Sequence, residues 1–303
     1  MSAGGQSAKV IVIALMANLG IAIAKLGGAV ISGSAALLAE AIHSLVDSSN
    51  QVLLLIGNRK SMRPPSDRHP LGYGREAFFW SFIVAILLFS LGGLFAIYEG
   101  MHKLSEPEEV FSPFLGLGIL LVSLVLEGIS FKACIKEVNS QNPYANLWIW
   151  FHKTTSSDLL VIFTEDAAAM VGLLLATLSL IASWLTGNSM WDAIGSIAIG
   201  ALLVSVAVLL AIEIKSLIIG EAPATDFRSY VEARVSELIP GGKVYRLIAL
   251  QIGANEVMMS CKISPGDLKD VDQLIAAINT IEQGVKMKFP EVKWQFFEPD
   301  SED

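Results

Sequence analysis

Long apolar stretches dominate the first two thirds of the chain, and short polar segments separate them. A helix needs roughly 20 apolar residues to cross a hydrocarbon layer about 30 Å thick. Six stretches reach that length. The predicted spans are residues 10–31, 36–58, 77–101, 112–135, 158–185 and 190–219.

The pattern changes after residue 220, where the long apolar stretches stop. Helical spacing in TDFRSYVEARVSELI and DLKDVDQLIAAINTIEQGVKMKF alternates with strand-like VYRLIALQIG, EVMMSCKIS and VKWQFFEP. The resulting order, αββαβ, predicts a small sheet with helices on one face, an α+β domain. We therefore predict a six-helix α-helical membrane domain over 1–220 and a small C-terminal α+β domain over 221–303. A domain this short cannot bury a large core, so we expect it to pair with a second copy.

The distribution of basic residues predicts the orientation in the membrane. The loop around SGSAA and the loop LTGNSM have none, and the loop around HKLSEPEE has only Lys103. The other loops and their borders carry Arg59, Lys60, Arg63, Arg68, Arg75, Lys132, Lys136 and Lys153. Because basic residues concentrate on the cytoplasmic side, both termini and the C-terminal domain are expected there, in a bacterial inner (cytoplasmic) membrane. The start, MSAGGQSAKV, lacks signal-peptide features, so we expect the first span to be retained.

The amino-acid composition is typical of a membrane protein, and the net charge argues against one kind of binding partner. Hydrophobic residues make up 53% of the chain and charged residues 17%, whereas soluble chains are about a quarter charged. A formal net charge of −8 argues against a nucleic-acid partner, because phosphate binding requires a basic face. Cys134 and Cys261 are too far apart in sequence to form a CxxC motif, and they define no disulfide framework.

A row of polar residues interrupts the second span, in ALLAEAIHSLVDSSNQ. Glu40, His43, Asp47 and Asn50 fall on one helix face, since residues three and four apart are neighbours there. Placing an ionisable group in hydrocarbon costs at least about 2.5–3.5 kcal/mol, so this face must contact protein or water. Either His43 and Asp47 pair to hold the helix against a neighbour, or they share a ligand.

The fifth span carries two adjacent carboxylates, Glu165 and Asp166, in VIFTEDAAAMVG. Neighbouring carboxylates repel each other unless a cation neutralises them. With His43 and Asp47 they form a plausible four-ligand set for a divalent ion, and zinc accepts nitrogen and oxygen donors in tetrahedral geometry. The alternative is that Glu165 pairs with a lysine such as Lys25.

Four segments carry a resemblance to a known family: SGSAALLAEAIHSLVDSSNQ, RPPSDRHPLGYGREAFFW, EDAAAMVG and GNSMWDAIGSIAIGALL. They resemble the cation diffusion facilitator family of metal/proton antiporters, most closely the branch that includes the mitochondrial zinc transporter of animals. The resemblance implies six spans, a cytoplasmic αββαβ tail and a homodimer with tail-to-tail contact.

The family's transport site takes two ligands, four residues apart, from the second span and two from the fifth. His43, Asp47 and Asp166 match three of these positions. Ile162 occupies the fourth and cannot bind a metal ion. Glu165 is the nearest replacement, and its side chain is long enough to turn toward the site.

Other metal sites of the family are depleted in this sequence. The loop after the second span keeps His69, but Tyr73 stands where many members have a second histidine. No histidine follows His152, so we expect the tail to act as a dimer clamp and not as a zinc sensor. The tail aspartates form either a weak hard-cation site or the solvated acidic start of a helix; they are Asp267, Asp270 and Asp272.

The function implied is export of a divalent metal cation from the cytoplasm in exchange for protons, by alternating access. Zinc is the expected substrate, and the oxygen-rich donors also admit Mn²⁺, Fe²⁺ or Co²⁺. Protons compete with metal for the ligands and serve as the counter-ion. The alternatives are a cation channel, which lacks this coupling, and an intramembrane metalloenzyme. The chain contains no HExxH motif and no phosphate-binding loop, so we expect neither zinc-protease nor ATP-driven chemistry.

Overall fold

The computed structural model describes residues 3–106, 112–141, 146–254 and 256–302, with the side chains of the first helix described from Asn18 onward. The predicted N-terminal segment MSAGGQSAKV and the loop around HKLSEPEE lie partly outside these residues. The chain forms two compact units. One contains Met1–Ile56, Trp80–His152 and Asp158–Ile214, and the other contains Gly57–Phe79, Lys153–Ser157 and Lys215–Asp303.

Helices carry all six apolar stretches. Among the described residues, four helices are long and apolar enough to cross a membrane: Glu76–Ser105, Pro113–Ser140, Ser157–Thr186 and Met190–Ile219. The first helix has a shorter apolar part, Asn18–Ser32. The polar row lowers the hydropathy of the second helix, so its place as a span stays a prediction. The helices are α1 (Ala3–Ser32), α2 (Ala35–Ser61), α3 (Glu76–Leu87), α4 (Phe95–Ser105), α5 (Pro113–Gln141), α6 (Leu147–Lys153), α7 (Ser157–Thr186) and α8 (Met190–Ile219).

A tight connection between α1 and α2 brings these helices side by side. Gly33 ends α1 with φ +67°, a left-handed conformation in which a side chain would be strained. Ser34 then caps α2, because its Oγ accepts the backbone N–H of Leu37 at 3.1 Å. The two-residue turn makes the helices antiparallel, which allows side chains of α1 to reach the polar face of α2.

A π-helical segment, Leu88–Leu94, joins α3 to α4. The Ser196 hydroxyl on α8 donates to the carbonyl oxygen of Ala96 just after this segment, at 2.8 Å. Small residues let α4 and α8 approach closely: a Cβ on Gly100 would lie 2.7 Å from the carbonyl oxygen of Ala193. This contact fixes the beginning of α8 against the end of α4.

The C-terminal segment folds as the alternating pattern predicts. Its elements are α9 (Phe227–Leu238), β1 (Val244–Gly253), β2 (Glu256–Ile263), α10 (Val271–Lys288) and β3 (Val292–Pro299). The sheet order is β1-β2-β3, with β1 antiparallel and β3 parallel to β2. Every second residue of β2 is buried, and the core includes Val231, Met259 and Ile281 from the two helices and this strand.

Polar caps start both helices of this segment. Asp226 accepts hydrogen bonds from the hydroxyl and the backbone N–H of Ser229, which lower the pKa of its exposed carboxyl group. Asp270 accepts the N–H of Asp272 at 3.0 Å. Asp270 and Asp272 therefore belong to the start of helix α10, which agrees with the interpretation of the tail aspartates as an acidic helix start.

Candidate metal-binding site

The polar face of α2 is buried in the protein. Glu40, His43 and Asn50 are each at most 1% exposed, and the Asp47 side chain is 19% exposed. Their spacing along one face follows from the helix, whose interior contains no proline over Ala35–Ser61. Of the two surroundings that the sequence allowed, protein or water, Glu40, His43 and Asn50 have protein.

His43 and Asp47 lie together one helical turn apart. His43 Nε2 is 3.4 Å from Asp47 Oδ2. Neither ring nitrogen of His43 has a hydrogen-bond partner among the described residues, and the same holds for Asp47 Oδ1. A buried polar atom without a partner costs about 1–3 kcal/mol, so these atoms stand out among the buried polar groups of the described residues.

The carboxylates of α7 face the same region. Glu165 is buried, and its Oε1 accepts a hydrogen bond from Asn50 Nδ2 of α2 at 2.5 Å. Asp166 Oδ2 is buried and has no hydrogen-bond partner among the described residues. The charges of Glu165 and Asp166 both act on the Asp47 carboxyl group.

The alternative pairing of Glu165 with Lys25 is not what the structure contains. Lys25 instead lies 3.4 Å from Glu40 Oε2 and 3.6 Å from Glu127 Oε1. Glu165 has Asn50 as its partner. An amide donor offsets part of the burial cost of Glu165 but brings no opposite charge.

The four predicted ligands are only partly assembled. Within the described ranges, no group of three or more His, Cys, Asp or Glu side chains converges closely enough to hold a metal ion. The structure brings His43 and Asp47 together and places Glu165 and Asp166 within electrostatic reach of Asp47. The α7 carboxylates therefore do not complete a metal-binding group with the pair on α2 in this structure.

One charged residue of this region escaped the sequence reasoning. Glu127 is the one carboxylate of the apolar stretch LLVSLVLEGISF, which belongs to helix α5. Its charge acts on Glu40, Asp47 and Asp166. Its position within an apolar stretch could have identified it, because acidic residues in membrane spans face the interior of the helical bundle.

A second buried network joins the ends of α2, α4 and α8. Asp192 is fully buried, and its carboxylate accepts the Ser34 hydroxyl at 2.5 Å and the Ala35 N–H at 2.6 Å. Lys103 Nζ lies 3.2 Å from the same carboxylate and also donates to the carbonyl of Gly33. The sequence analysis assigned Lys103 to a loop, whereas in the structure it lies near the end of α4 and is buried in this network.

Among the residues that the structure describes, the other candidate sites form no group of three or more metal-binding side chains. His69 is exposed, and its ring lies 4.6 Å from that of Tyr73, centroid to centroid. The Tyr73 hydroxyl is 3.1 Å from Ser66 Oγ. In the tail, burial raises the pKa of the Cys261 thiol to about 12, so this side chain is a poor metal ligand at neutral pH.

Buried imidazole and carboxylate groups lie within the apolar helices of this chain, four of which, among the described residues, are long enough to cross a membrane. The chain belongs to the cation efflux family: residues 11–219 match the family's cation efflux transmembrane domain. The match confirms the family that the four sequence segments resembled, the cation diffusion facilitators.

Several curated proteins are similar to this chain. Metal tolerance protein C4 of Arabidopsis thaliana is 35% identical over 222 residues, 72% of this chain and 48% of the relative. The mitochondrial proton-coupled zinc antiporter SLC30A9 of Xenopus laevis is 31% identical over 261 residues, 84% and 46% respectively. Magnetosome protein MamB of Magnetospira is 29% identical over 188 residues, 61% and 58%. The chain thus spans about half the length of the first two relatives.

Glu165→Gln tests whether this residue is the fourth ligand. Residues 162 and 166 share a helix face, whereas 165 lies about 100° from 166, so Glu165 must reach around the helix to the ion. If it does, Glu165→Gln lowers zinc affinity strongly, and Ile162→His in the same chain restores part of it. Isothermal titration with zinc and thermal melting of both variants provide the measurement. Unchanged zinc affinity in the single variant would leave Glu165 as a partner of Asn50 only.

Proposed function

We propose that this protein is a divalent metal cation transporter, and not an enzyme, that moves zinc out of the cytoplasm in exchange for protons. The observation that carries this proposal is the set of buried donor atoms without hydrogen-bond partners on His43, Asp47 and Asp166. Family membership and the printed name of one relative, a proton-coupled zinc antiporter, support it.

The donor chemistry supports zinc as the substrate. One imidazole nitrogen and two carboxylate oxygens, with Glu165 or water as the fourth donor, suit a tetrahedral zinc ion. Carboxylate oxygens also accept Mn²⁺, Fe²⁺ and Co²⁺, so discrimination among these ions must come from the surroundings of the site. In our proposal His43 and Asp47 hold the ion first, because they are already adjacent.

Proton exchange follows from the same ligands. Imidazole and carboxylate groups bind metal only after losing a proton, so protons and metal exclude each other at the site. An ion released on one face is replaced by protons that enter from that face. Alternating access requires the α2 and α7 ligands to approach and separate, and the partly assembled site is compatible with such a cycle.

The proposed topology has six spans, formed by α1, α2, the continuous α3–α4 helix, α5, α7 and α8. Both termini lie in the cytoplasm, and the chain divides into a membrane domain over 1–220 and a tail over 221–303. We place it in the bacterial inner membrane. The printed names of two relatives point to two different membranes, that of a magnetosome and that of a mitochondrion.

A homodimer joined through the tails is part of this proposal. The sheet face opposite the tail core bears a row formed by Ile248, Ser260 and Phe296, which are aligned across the three strands. Ile248 is 54% and Phe296 51% exposed. Exposed apolar side chains on one face favour contact with a second copy.

Purified protein in sealed vesicles tests the transport function. A panel of Zn²⁺, Mn²⁺, Fe²⁺ and Co²⁺ is offered with the pH set separately on each side. We expect saturable zinc flux that accelerates when the opposite side is acidified, and metal uptake that releases protons. Apparent zinc affinity should fall as the pH is lowered, because protons compete with the metal ion for the same ligands. Non-saturating flux that ignores the pH gradient would favour a channel.

The tail should bind zinc weakly, if at all. No histidine occurs after His152, and the single tail thiol, Cys261, is fully buried. The segment from Glu221 onward has its own hydrophobic core, so it can be studied separately. Calorimetry should detect no tight zinc site, while sedimentation shows self-association. Any tight zinc site would refute the expectation, and the matched variant Cys261→Ala shows whether the thiol contributes to it.

A further inference from the structure

The Lys25 amine of α1 is a fully buried cation surrounded by three oxygen atoms. Lys25 Nζ donates to Ser44 Oγ at 2.7 Å and to Glu40 Oε2 at 3.4 Å. Glu127 Oε1 of α5 lies 3.6 Å away. Lys25 and Glu40 are both 0% exposed, whereas the Glu127 side chain is 20% exposed. We call these four side chains the Lys25 cluster.

The Lys25 cluster is short of positive charge. Two carboxylates share one ammonium group, so the cluster carries an excess negative charge when all three groups are ionised. Glu40 Oε1 has no hydrogen-bond partner among the described residues. That atom occupies space left by Gly172 on α7, where a Cβ would overlap it. Glu40 therefore keeps an open oxygen directed at the helix that carries Glu165 and Asp166.

The Lys25 cluster also adjoins the proposed transport site. The Glu127 charge acts on both Asp47 and Asp166. The Lys25 charge acts on His43 and Asp47. Ser44 directly follows His43 in α2. The charges of Lys25 and Glu127 therefore both reach the proposed transport site.

We propose that Lys25 is a specificity-determining residue for the transported ion. By holding Glu40 and Glu127 it keeps two hard oxygen donors from the metal, which leaves His43, Asp47 and Asp166 as the donor set. The inference rests on the proposed transport function and adds the means of discrimination. Lys25 acts through the carboxylates that it holds and touches no substrate, so it is a positioning residue.

Coordination chemistry predicts which ions gain when this cation is removed. Zinc is satisfied by four donors that include nitrogen, whereas Mn²⁺ and Mg²⁺ favour six oxygens. Without the Lys25 charge, Glu40 and Glu127 become available, and Ser44 supplies a third oxygen. The region would then provide the oxygen donors that Mn²⁺ requires, while the zinc donors remain as they were.

Binding of Zn²⁺ and Mn²⁺ by the full-length purified chain tests this inference. In Lys25→Gln we expect Mn²⁺ affinity to rise by about tenfold, the order expected for an uncompensated charge near the ion, with zinc affinity little changed. Lys25→Arg keeps the charge and should retain the native zinc-to-manganese ratio. The triple variant Lys25→Gln/Glu40→Gln/Glu127→Gln removes both carboxylates of the Lys25 cluster and should lose the manganese gain.

A second variant, Lys25→Gln/Glu40→Gln, tests the proposal even if Lys25→Gln does not fold. Lys25→Gln/Glu40→Gln has the native net charge of the cluster and still releases Glu127, so it must also gain manganese affinity. A folded Lys25→Gln protein with the native ratio, or a triple variant that keeps the gain, would overturn the proposal. If the native chain binds no divalent ion, the transport function fails instead, which is a separate outcome.

Discussion

Asp47→Ala is expected to abolish zinc transport in a protein that still folds. Asp47 is adjacent to His43, and its buried Oδ1 has no hydrogen-bond partner among the described residues. Loss of residues that merely support a ligand costs about 10–100-fold in metal affinity, so loss of a ligand should cost at least that much. His43→Ala and Asp166→Ala should have effects of the same size, because each removes a donor from the same set.

The matched control is Ser49→Ala on the same helix. The Ser49 side chain is exposed and bonds only the Leu45 carbonyl of its own helix, so its loss should leave zinc flux unchanged. Zinc flux into vesicles and thermal melting are measured for each variant. Native flux in a folded Asp47→Ala protein would remove Asp47 from the pathway.

Asp192→Ala is expected to cause the largest loss of stability. The substitution leaves the buried Lys103 amine without its counter-charge, and breaking a buried ion pair in this way costs about 3–5 kcal/mol. It also removes the carboxylate that accepts the Ala35 N–H and the Ser34 hydroxyl at the start of α2. Thermal unfolding of the purified protein should show a clearly lowered Tm.

Two companion variants separate the charge from the hydrogen bonds. Asp192→Asn keeps one acceptor oxygen and should lose less stability than Asp192→Ala. Adding Lys103→Met to Asp192→Ala removes the unpaired cation and should restore part of the Tm, because an apolar side chain can be buried without a partner. An unchanged Tm in Asp192→Ala would show that the network contributes nothing to folding.

Element types followed from the sequence because they depend on local patterns. Apolar stretches near the length of a span became helices, and the alternating residues of β2 became a strand with one buried face. The π-helical segment over Leu88–Leu94 was not predictable in this way. Gly92 and Gly93 of this segment lie against Leu203 and Val204 of α8, a contact that the local sequence does not encode.

Contacts between helices could not be predicted from the sequence, because they also depend on how the helices pack. The candidate residues His43, Asp47, Glu165 and Asp166 stood out because charged groups are costly in apolar spans. Their partners could not be read from spacing, since Asn50 and Glu165 are 115 positions apart and Ser34 and Asp192 are 158 apart. From sequence alone, several acidic residues were possible partners of Lys25. In the structure, its partners come from α2 and α5.

The location of bound zinc tests the central claim most directly. Diffraction data collected at the zinc absorption edge from crystals grown with zinc would reveal the ion by its anomalous scattering. The account predicts a zinc ion between α2 and α7, bound by His43, Asp47 and Asp166. A bound zinc ion that none of these three side chains contacts, with this region vacant, would contradict it.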